Sequence, residues 1–225
     1  MVSGQMKNKL NVLYEDNHII VVEKPINVLS QSDITNDYDL LSMVKDYIKV
    51  KYNKPGNVYI GLVHRLDRPV GGIMIFARTS KAAKRLNEEM NNNQFSKYYY
   101  AIVHGIPKKK EDTLVDNIVK LDNGNSVVRK DGKKSILQYK VVKENVEKCK
   151  TLLNIKLLTG RHHQIRVQLS SRGYPICGDQ RYGVIDKTPL ALFAYKLEFV
   201  HPVTKENMSF QIEFPHNGYW KDFIN

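Results

Sequence analysis

Asp67 stands between Arg65 and Arg68 in the stretch Gly61-Leu62-Val63-His64-Arg65-Leu66-Asp67-Arg68-Pro69-Val70-Gly71-Gly72, a charged loop between two apolar runs. Core packing does not ask for a carboxylate there. Nearby positive charge favours the ionised form of an acid, so this aspartate is expected to stay charged near neutral pH. An ionised, positioned carboxylate is a candidate nucleophile or base. A surface ion-pair loop is the plainer alternative for any Arg-Asp-Arg cluster, and the rest of the chain decides against it.

A second group of candidates lies in residues 159–183, which read Thr-Gly-Arg-His-His-Gln-Ile-Arg-Val-Gln-Leu-Ser-Ser-Arg-Gly-Tyr-Pro-Ile-Cys-Gly-Asp-Gln-Arg-Tyr-Gly. The pattern predicts a helix over residues 160–172 closed by Gly173. On that helix His162, Ile165 and Leu169 share a face, and Arg166 lies on its border beside His162, His163 and Ser170. Such a helix presents a guanidinium to an anion, or carries a solvated arginine. Adjacent histidines point apart on a helix and no third ligand is evident, so His162 and His163 are not expected to hold zinc. A third group is Lys97-Tyr98-Tyr99-Tyr100-Ala101. On a strand, Tyr98 and Tyr100 face one way and Lys97, Tyr99 and Ala101 the other. Aromatics beside lysines can stack flipped bases; ordinary cross-strand packing is the alternative.

The elements that position these residues are short. Strands are predicted over residues 10–14 and 18–22, a helical stripe over 40–50, and strands over 58–63 and 72–77 on either side of the Asp67 loop. Thr79 is placed to cap a helix over Ser80–Asn91. Further strands are expected over 98–103, several within 113–158 with turns at Asn123-Gly124 and Asp131-Gly132, and then over Leu192–Val200 and residues 208–214. Strands outnumber helices and come as hairpins, which argues α+β with a largely antiparallel sheet.

The 225 residues suit one large domain or two small lobes and suffice to bury a real core. Hydrophobic residues make up 42% and charged residues 26%, the balance of an ordinary globular protein. Lys and Arg number 35 against 23 Asp and Glu, for a net charge of +12, which points to a polyanion such as nucleic acid. Cys149 and Cys177 form no metal-ligand spacing and are expected as free thiols. The N-terminus has no apolar signal core and no run is long enough to span a bilayer, so a cytoplasmic protein without membrane contact is expected. Residues 1–5, ahead of Met6, read either as native or as a cloning remnant.

Taken together, the motifs resemble the RluA-type pseudouridine synthases. His64-Arg65-Leu66-Asp67 matches that family's His-Arg-Leu-Asp signature, and residues 97–105 (KYYYAIVHG) its Lys-x-Tyr-x-Ala-x-Val-x-Gly strand. GRHHQIRVQL and GYPICGDQRYG are similar to its third motif, and residues 14–25 to its opening hairpin. The resemblance runs in family order over residues 10–215. It departs at Val70-Gly71, where the family commonly has Thr-Ser, at His162 in place of Thr, and at Gln168 in place of a frequent His.

The resemblance implies a pseudouridine synthase fold: an α+β, largely antiparallel mixed sheet with flanking helices and a central RNA-binding cleft. It implies a catalytic domain over residues 10–225 behind a poorly ordered tail at 1–9, without the S4-type module of many relatives. The implied activity is isomerisation of a uridine in ribosomal or transfer RNA by a monomer, with no cofactor or metal. Asp67 would be the nucleophile. Arg166 would keep it charged and aim it, and Tyr99 would be the general base or its support. His64, Arg65, Lys97, Arg161, His163 and Gln164 would bind substrate, with Arg65 taking the place vacated by the flipped base. Lys108, Lys109, Lys110, Arg129, Lys130, Lys133 and Lys134 would meet phosphates. A non-catalytic RNA-binding protein on the same scaffold is the alternative. An aspartate-nucleophile hydrolase would need a phosphate loop and a metal-binding acid cluster, and the sequence has neither.

Overall fold

The computed structural model describes residues 10–35, 37–92 and 94–224; the tail expected at 1–9 lies outside the described residues. The chain opens with a hairpin of β1 (Asn11–Glu15) and β2 (Ile19–Lys24). Its turn is closed by Asp16, whose Oδ1 accepts the N–H groups of His18 and Ile19. Then come α1 (Leu40–Lys51), capped by Asp39, the two-residue β3 (Gly61–Leu62) and the fully buried β4 (Gly71–Ala77). The Thr79 hydroxyl accepts the Ala82 N–H and starts α2 (Ser80–Asn91), as its sequence predicts. The rest comprises β5 (Ser96–His104), β6 (Glu111–Lys120), β7 (Ser126–Val128), β8 (Lys133–Asn145) and β9 (Lys150–Leu157). It ends with α3 (Gln164–Ser170), β10 (Leu192–Val200), β11 (Asn207–Gln211) and a 3-10 turn over Gly218–Phe223.

Among the described residues the strands join into one mixed sheet in the order β1-β2-β4-β10-β5-β9-β8-β6-β7, with β3 on β4 and β11 on β10. The β4–β10 pair is parallel and the other pairs are antiparallel. β2 and β4 are buried on both faces, which is why they read as continuous apolar runs. Their period of two divides them between two cores. Ile20, Val22, Met74 and Phe76 enter one; Ile19, Val21, Ile73 and Ile75 enter the other with α2 residues Ala82 and Leu86. Each large side chain so buried contributes roughly 1.5–3 kcal/mol.

Three predicted elements are shorter than expected, the last being the strand expected over 208–214, which ends at Gln211. Of residues 58–63 only Gly61 and Leu62 pair with β4; residues 58–60 lead in without pairing, and Val63 begins the Asp67 loop. The helix predicted over 160–172 begins only at Gln164. His163 ahead of it has a left-handed backbone, φ 53°, which no helix can pass through. Gly173 does lie in the left-handed region, at φ 78°, and turns the chain after the helix.

Candidate active site

The Asp67 loop is fixed from below. Val63, Leu66 and Val70 are buried anchors, and the Val70 N–H closes a turn onto the Asp67 carbonyl. The Ser30 hydroxyl donates to the Leu66 carbonyl at 2.7 Å and accepts the Leu66 N–H at 3.1 Å. Lys24, fully buried at the end of β2, donates to the carbonyls of Pro25, Arg68 and Val70 at 3.0, 3.1 and 2.7 Å. Burial draws its amine down to about 7 and Asp67 acts against that. Three carbonyl acceptors match the three protons of an ammonium and also favour the charged form. Sequence reading missed Lys24; its signal is a lysine closing the apolar run Ile-Ile-Val-Val-Glu-Lys.

Register then sets the spacing. β10 pairs with β4 through Ala194↔Gly72 and with β5 through Ala194↔Tyr99. Tyr99 is thus two strands from Gly72, about 10 Å across the sheet at the usual strand spacing. Gly72 has φ 125°, and a Cβ there would fall 2.2 Å from the Ala194 carbonyl oxygen, so only glycine fits. Tyr99 is buried and turned with Ala101 into the core, while Tyr98 and Tyr100 pack on Tyr195 across the other face. Burial raises the Tyr99 hydroxyl well above its ordinary value and Asp67 raises it further. Its phenol is therefore protonated at neutral pH.

Arg166 reaches across 99 residues to the loop: its Nη1 lies 3.2 Å from Asp67 Oδ2. The same guanidinium forks onto Asp179, with Nε to Oδ2 and Nη2 to Oδ1 both at 2.8 Å. Asp179 also accepts the N–H groups of Arg181 and Tyr182. Burial would raise Asp179, but the bonds and charge of Arg166 overturn that and hold it below its ordinary value. Arg166 is 5% exposed and the Asp179 side chain is fully buried, whereas Asp67 keeps 28% of its side chain open. An anchored guanidinium thus faces a carboxylate that solvent can reach. Asp179 is a residue that sequence reading quoted but gave no role.

The arginines flanking Asp67 are not its partners. Arg68 pairs with Asp37 at 2.8 Å, and Arg65 is exposed with no ion pair among the described residues. The positive charge beside Asp67 comes from Arg166 and Lys24 instead. His64 is held within the fold: its Nε2 accepts the Ile75 N–H, its ring meets Phe95 edge-on, and burial pulls it down to about 3, while its Nδ1 is buried without a hydrogen-bond partner among the described residues. Gln164 is buried, accepting from Thr159 Oγ1 and the Arg161 N–H and donating to Gln168. That explains how the loop before α3 is held. Arg161 is exposed, with Nε on the Lys134 carbonyl. The Lys97 amine rests against Gly160, half-buried, with its pKa lowered by burial.

His162 and His163 do not diverge, because they precede the helix rather than sit in it. Their ring centroids are 3.7 Å apart. His163 Nε2 lies 3.5 Å from Asp67 Oδ2, and its Nδ1 is 2.8 Å from the Tyr182 hydroxyl. Among the described residues no three His, Cys, Asp or Glu side chains gather as metal ligands. A cavity of about 400 Å³ opens between β7 and α3, lined by Ser126, Val167, Arg181 and Tyr182, beside these supporting residues rather than at Asp67. Of the basic residues expected at phosphates, Lys109, Lys110 and Arg129 are paired with Asp112, Glu144 and Asp131. Lys108, Lys130, Lys133 and Lys134 are exposed and lack an ion pair among the described residues.

Residues 18–171 match the family described as RNA pseudouridylate synthase. Over 92% of its length the chain is 35% identical to an uncharacterized RNA pseudouridine synthase of Aquifex aeolicus (strain VF5), covering 70% of that protein. Over 97% of its length it is 32% identical to ribosomal large subunit pseudouridine synthase C of Buchnera aphidicola subsp. Schizaphis graminum (strain Sg), covering 71% of it. The fold is shared with human RNA Pseudouridylate Synthase Domain Containing 4, at TM-score 0.76 and 22% identity over 91% of this chain and 88% of that one. The chain belongs to the pseudouridine synthase family, of the RluA type that its motifs resemble. It is an isomerase acting on RNA. No helix among the described residues is long and apolar enough to cross a membrane.

Proposed function

We propose that this protein converts a specific uridine of ribosomal or transfer RNA to pseudouridine, with Asp67 as nucleophile. The observation that carries the reading is the Asp67 carboxylate held open to solvent on a guanidinium that Asp179 anchors from behind. Isomerisation breaks the bond from N1 to the sugar and makes one from C5. The C5 proton is lost and N1 gains one, so no oxidant is consumed. Arg166 aims Asp67 and stabilises its charge. Tyr99 lies two strands from the end of the Asp67 loop, and its raised hydroxyl suits it to support the base rather than to rest as a phenolate. A target uridine must leave its stack to reach Asp67, and the exposed, unpaired Arg65 suits filling the gap. The unpaired Lys108, Lys130, Lys133 and Lys134 supply phosphate contacts on the catalytic domain itself.

Asp67→Asn keeps the side-chain shape and removes the nucleophile. Total RNA from cells lacking the gene, labelled with C5-tritiated uridine, serves as substrate. Wild type should release tritium to water, and Asp67→Asn should release none while binding RNA normally. Release within tenfold of wild type would remove Asp67 from the reaction, and a wild type inert on this RNA would point to a non-catalytic RNA-binding protein.

A further inference from the structure

His163 has an environment that substrate binding does not explain. Its side chain is nearly buried, and its backbone sits in the left-handed region, uncommon for a residue with a Cβ. Its ring is held from two sides. Tyr182 Oη accepts the Ser126 N–H at 2.6 Å and lies 2.8 Å from His163 Nδ1. The phenolic proton then needs an acceptor, and Nδ1 is the one the described residues supply. With Nδ1 accepting, the single proton of a neutral imidazole is on Nε2. Nε2 lies 3.5 Å from Asp67 Oδ2, the same oxygen that Arg166 Nη1 meets at 3.2 Å. Asp67 Oδ1 has no hydrogen-bond partner among the described residues. Burial, Arg166, His162 and Arg181 lower the His163 pKa to about 4 while Asp67 opposes them, which keeps the ring a neutral donor.

We propose that His163, its tautomer set by the Ser126 N–H and the Tyr182 hydroxyl, is a positioning residue that holds Asp67 by Oδ2 and leaves Oδ1 to meet the substrate. The inference rests on the nucleophile assignment for Asp67. Arg166 donates to Oδ2 and the His163 ring lies against the same oxygen at 3.5 Å, so the carboxylate is confined from two sides where a single contact from Arg166 would let it rotate. Tyr182 also lies under the Arg166 guanidinium, 5.2 Å from ring centroid to Cζ, so the same side chain braces both groups. A residue acting this way lowers the rate of the committed step without changing RNA affinity.

The test is single-turnover tritium release with the labelled total RNA, measured for wild type, His163→Ala, His163→Gln and Tyr182→Phe, with thermal melting alongside. His163→Ala should lose roughly 10–100-fold in maximal rate, the usual scale for a supporting partner, with half-saturation unchanged. His163→Gln, whose amide can place an N–H near the Nε2 position, should recover most of that loss. Tyr182→Phe should fall between wild type and His163→Ala, and it decides the matter if His163→Ala does not fold. A rate within twofold of wild type in a folded His163→Ala, or in Tyr182→Phe should the alanine variant not fold, overturns the positioning role. So does raised half-saturation at unchanged rate, which makes His163 an RNA contact. Both are readable only while wild type turns over and Asp67→Asn is dead, so failure here is distinct from failure of the nucleophile assignment.

Discussion

Arg166 and Arg129 each grip one aspartate with two parallel hydrogen bonds. Arg166 binds Asp179 at 2.8 and 2.8 Å, and Arg129 binds Asp131 at 2.6 and 2.8 Å. The chemistry is the same and the surroundings are opposite. The Arg166 and Asp179 side chains are 5% and 0% exposed; those of Arg129 and Asp131 are 53% and 63% exposed. An exposed fork competes with water and salt and fixes little. A buried one costs desolvation to form, and once formed neither partner can be released cheaply. The buried fork therefore works as a rigid mount. Arg166 has its Nε and Nη2 committed to Asp179, and its remaining Nη1 points at Asp67.

Removing the anchor should have the largest effect. Asp179→Ala strands Nε and Nη2 of a buried guanidinium and frees the N–H groups of Arg181 and Tyr182. A loss of about 3–5 kcal/mol in urea unfolding is expected, the range for a buried pair deprived of one member. The pH dependence has a definite sign. The folded pKa of Asp179 lies below the ordinary 3.8, so its stabilisation is full above that value and fades as pH falls through the folded one. Acid unfolding curves of wild type and Asp179→Ala should therefore converge below pH 3.8. Curves that stay parallel there would mean the carboxylate charge is not what holds the mount.

Arg166→Lys is the next largest. Lysine keeps a charge but has no fork, so it cannot satisfy Asp179 twice and still reach Asp67. The variant should fold, with about 1–3 kcal/mol lost for acceptors left short of a donor. Tritium release should drop by about 100-fold or more, since small misplacement of a reacting group is costly. Near-normal turnover would show that charge alone, without bidentate anchoring, is enough to prepare Asp67.

The contrast between the forks also separates what sequence discloses from what it hides. Thr79 before Ser80–Asn91 and the apolar runs of β2 and β4 are local signals; the helix keeps the bounds its sequence predicts and the two strands shift by one or two residues. Motif order brought Asp67 and Arg166 together across 99 residues. What stayed hidden depends on three-dimensional neighbours. Asp179 looks like any acid in a polar turn until burial puts it behind Arg166. Lys24 looks like a strand-ending charge until two carbonyls of the Asp67 loop, those of Arg68 and Val70, converge on it beside that of Pro25. His162 and His163 diverge only if the helix reaches them, and a left-handed residue stops it short. The departures from family pattern are legible only afterwards. Val70 is a buried anchor whose carbonyl takes Lys24, and Gln168 is buried and bonds Asp116.

The smallest effect belongs to the exposed fork, and its direction differs by assay. Asp131→Asn weakens a solvated pair in a turn between β7 and β8, so the urea midpoint should not move measurably. RNA binding should respond instead. Asp131 ties up Arg129 beside Lys130, Lys133 and Lys134, which are otherwise unpaired among the described residues. Removing the carboxylate charge frees a guanidinium for one more phosphate. Each phosphate neutralised releases counterion, and log affinity falls with log salt in proportion to the number of such contacts. Labelled stem-loop RNA titrated at several salt concentrations should show tighter binding at low salt and a slope steeper by about 0.7–0.9. An unchanged slope would place the β7–β8 turn outside the RNA footprint, and the exposed fork would then have no part in function at all.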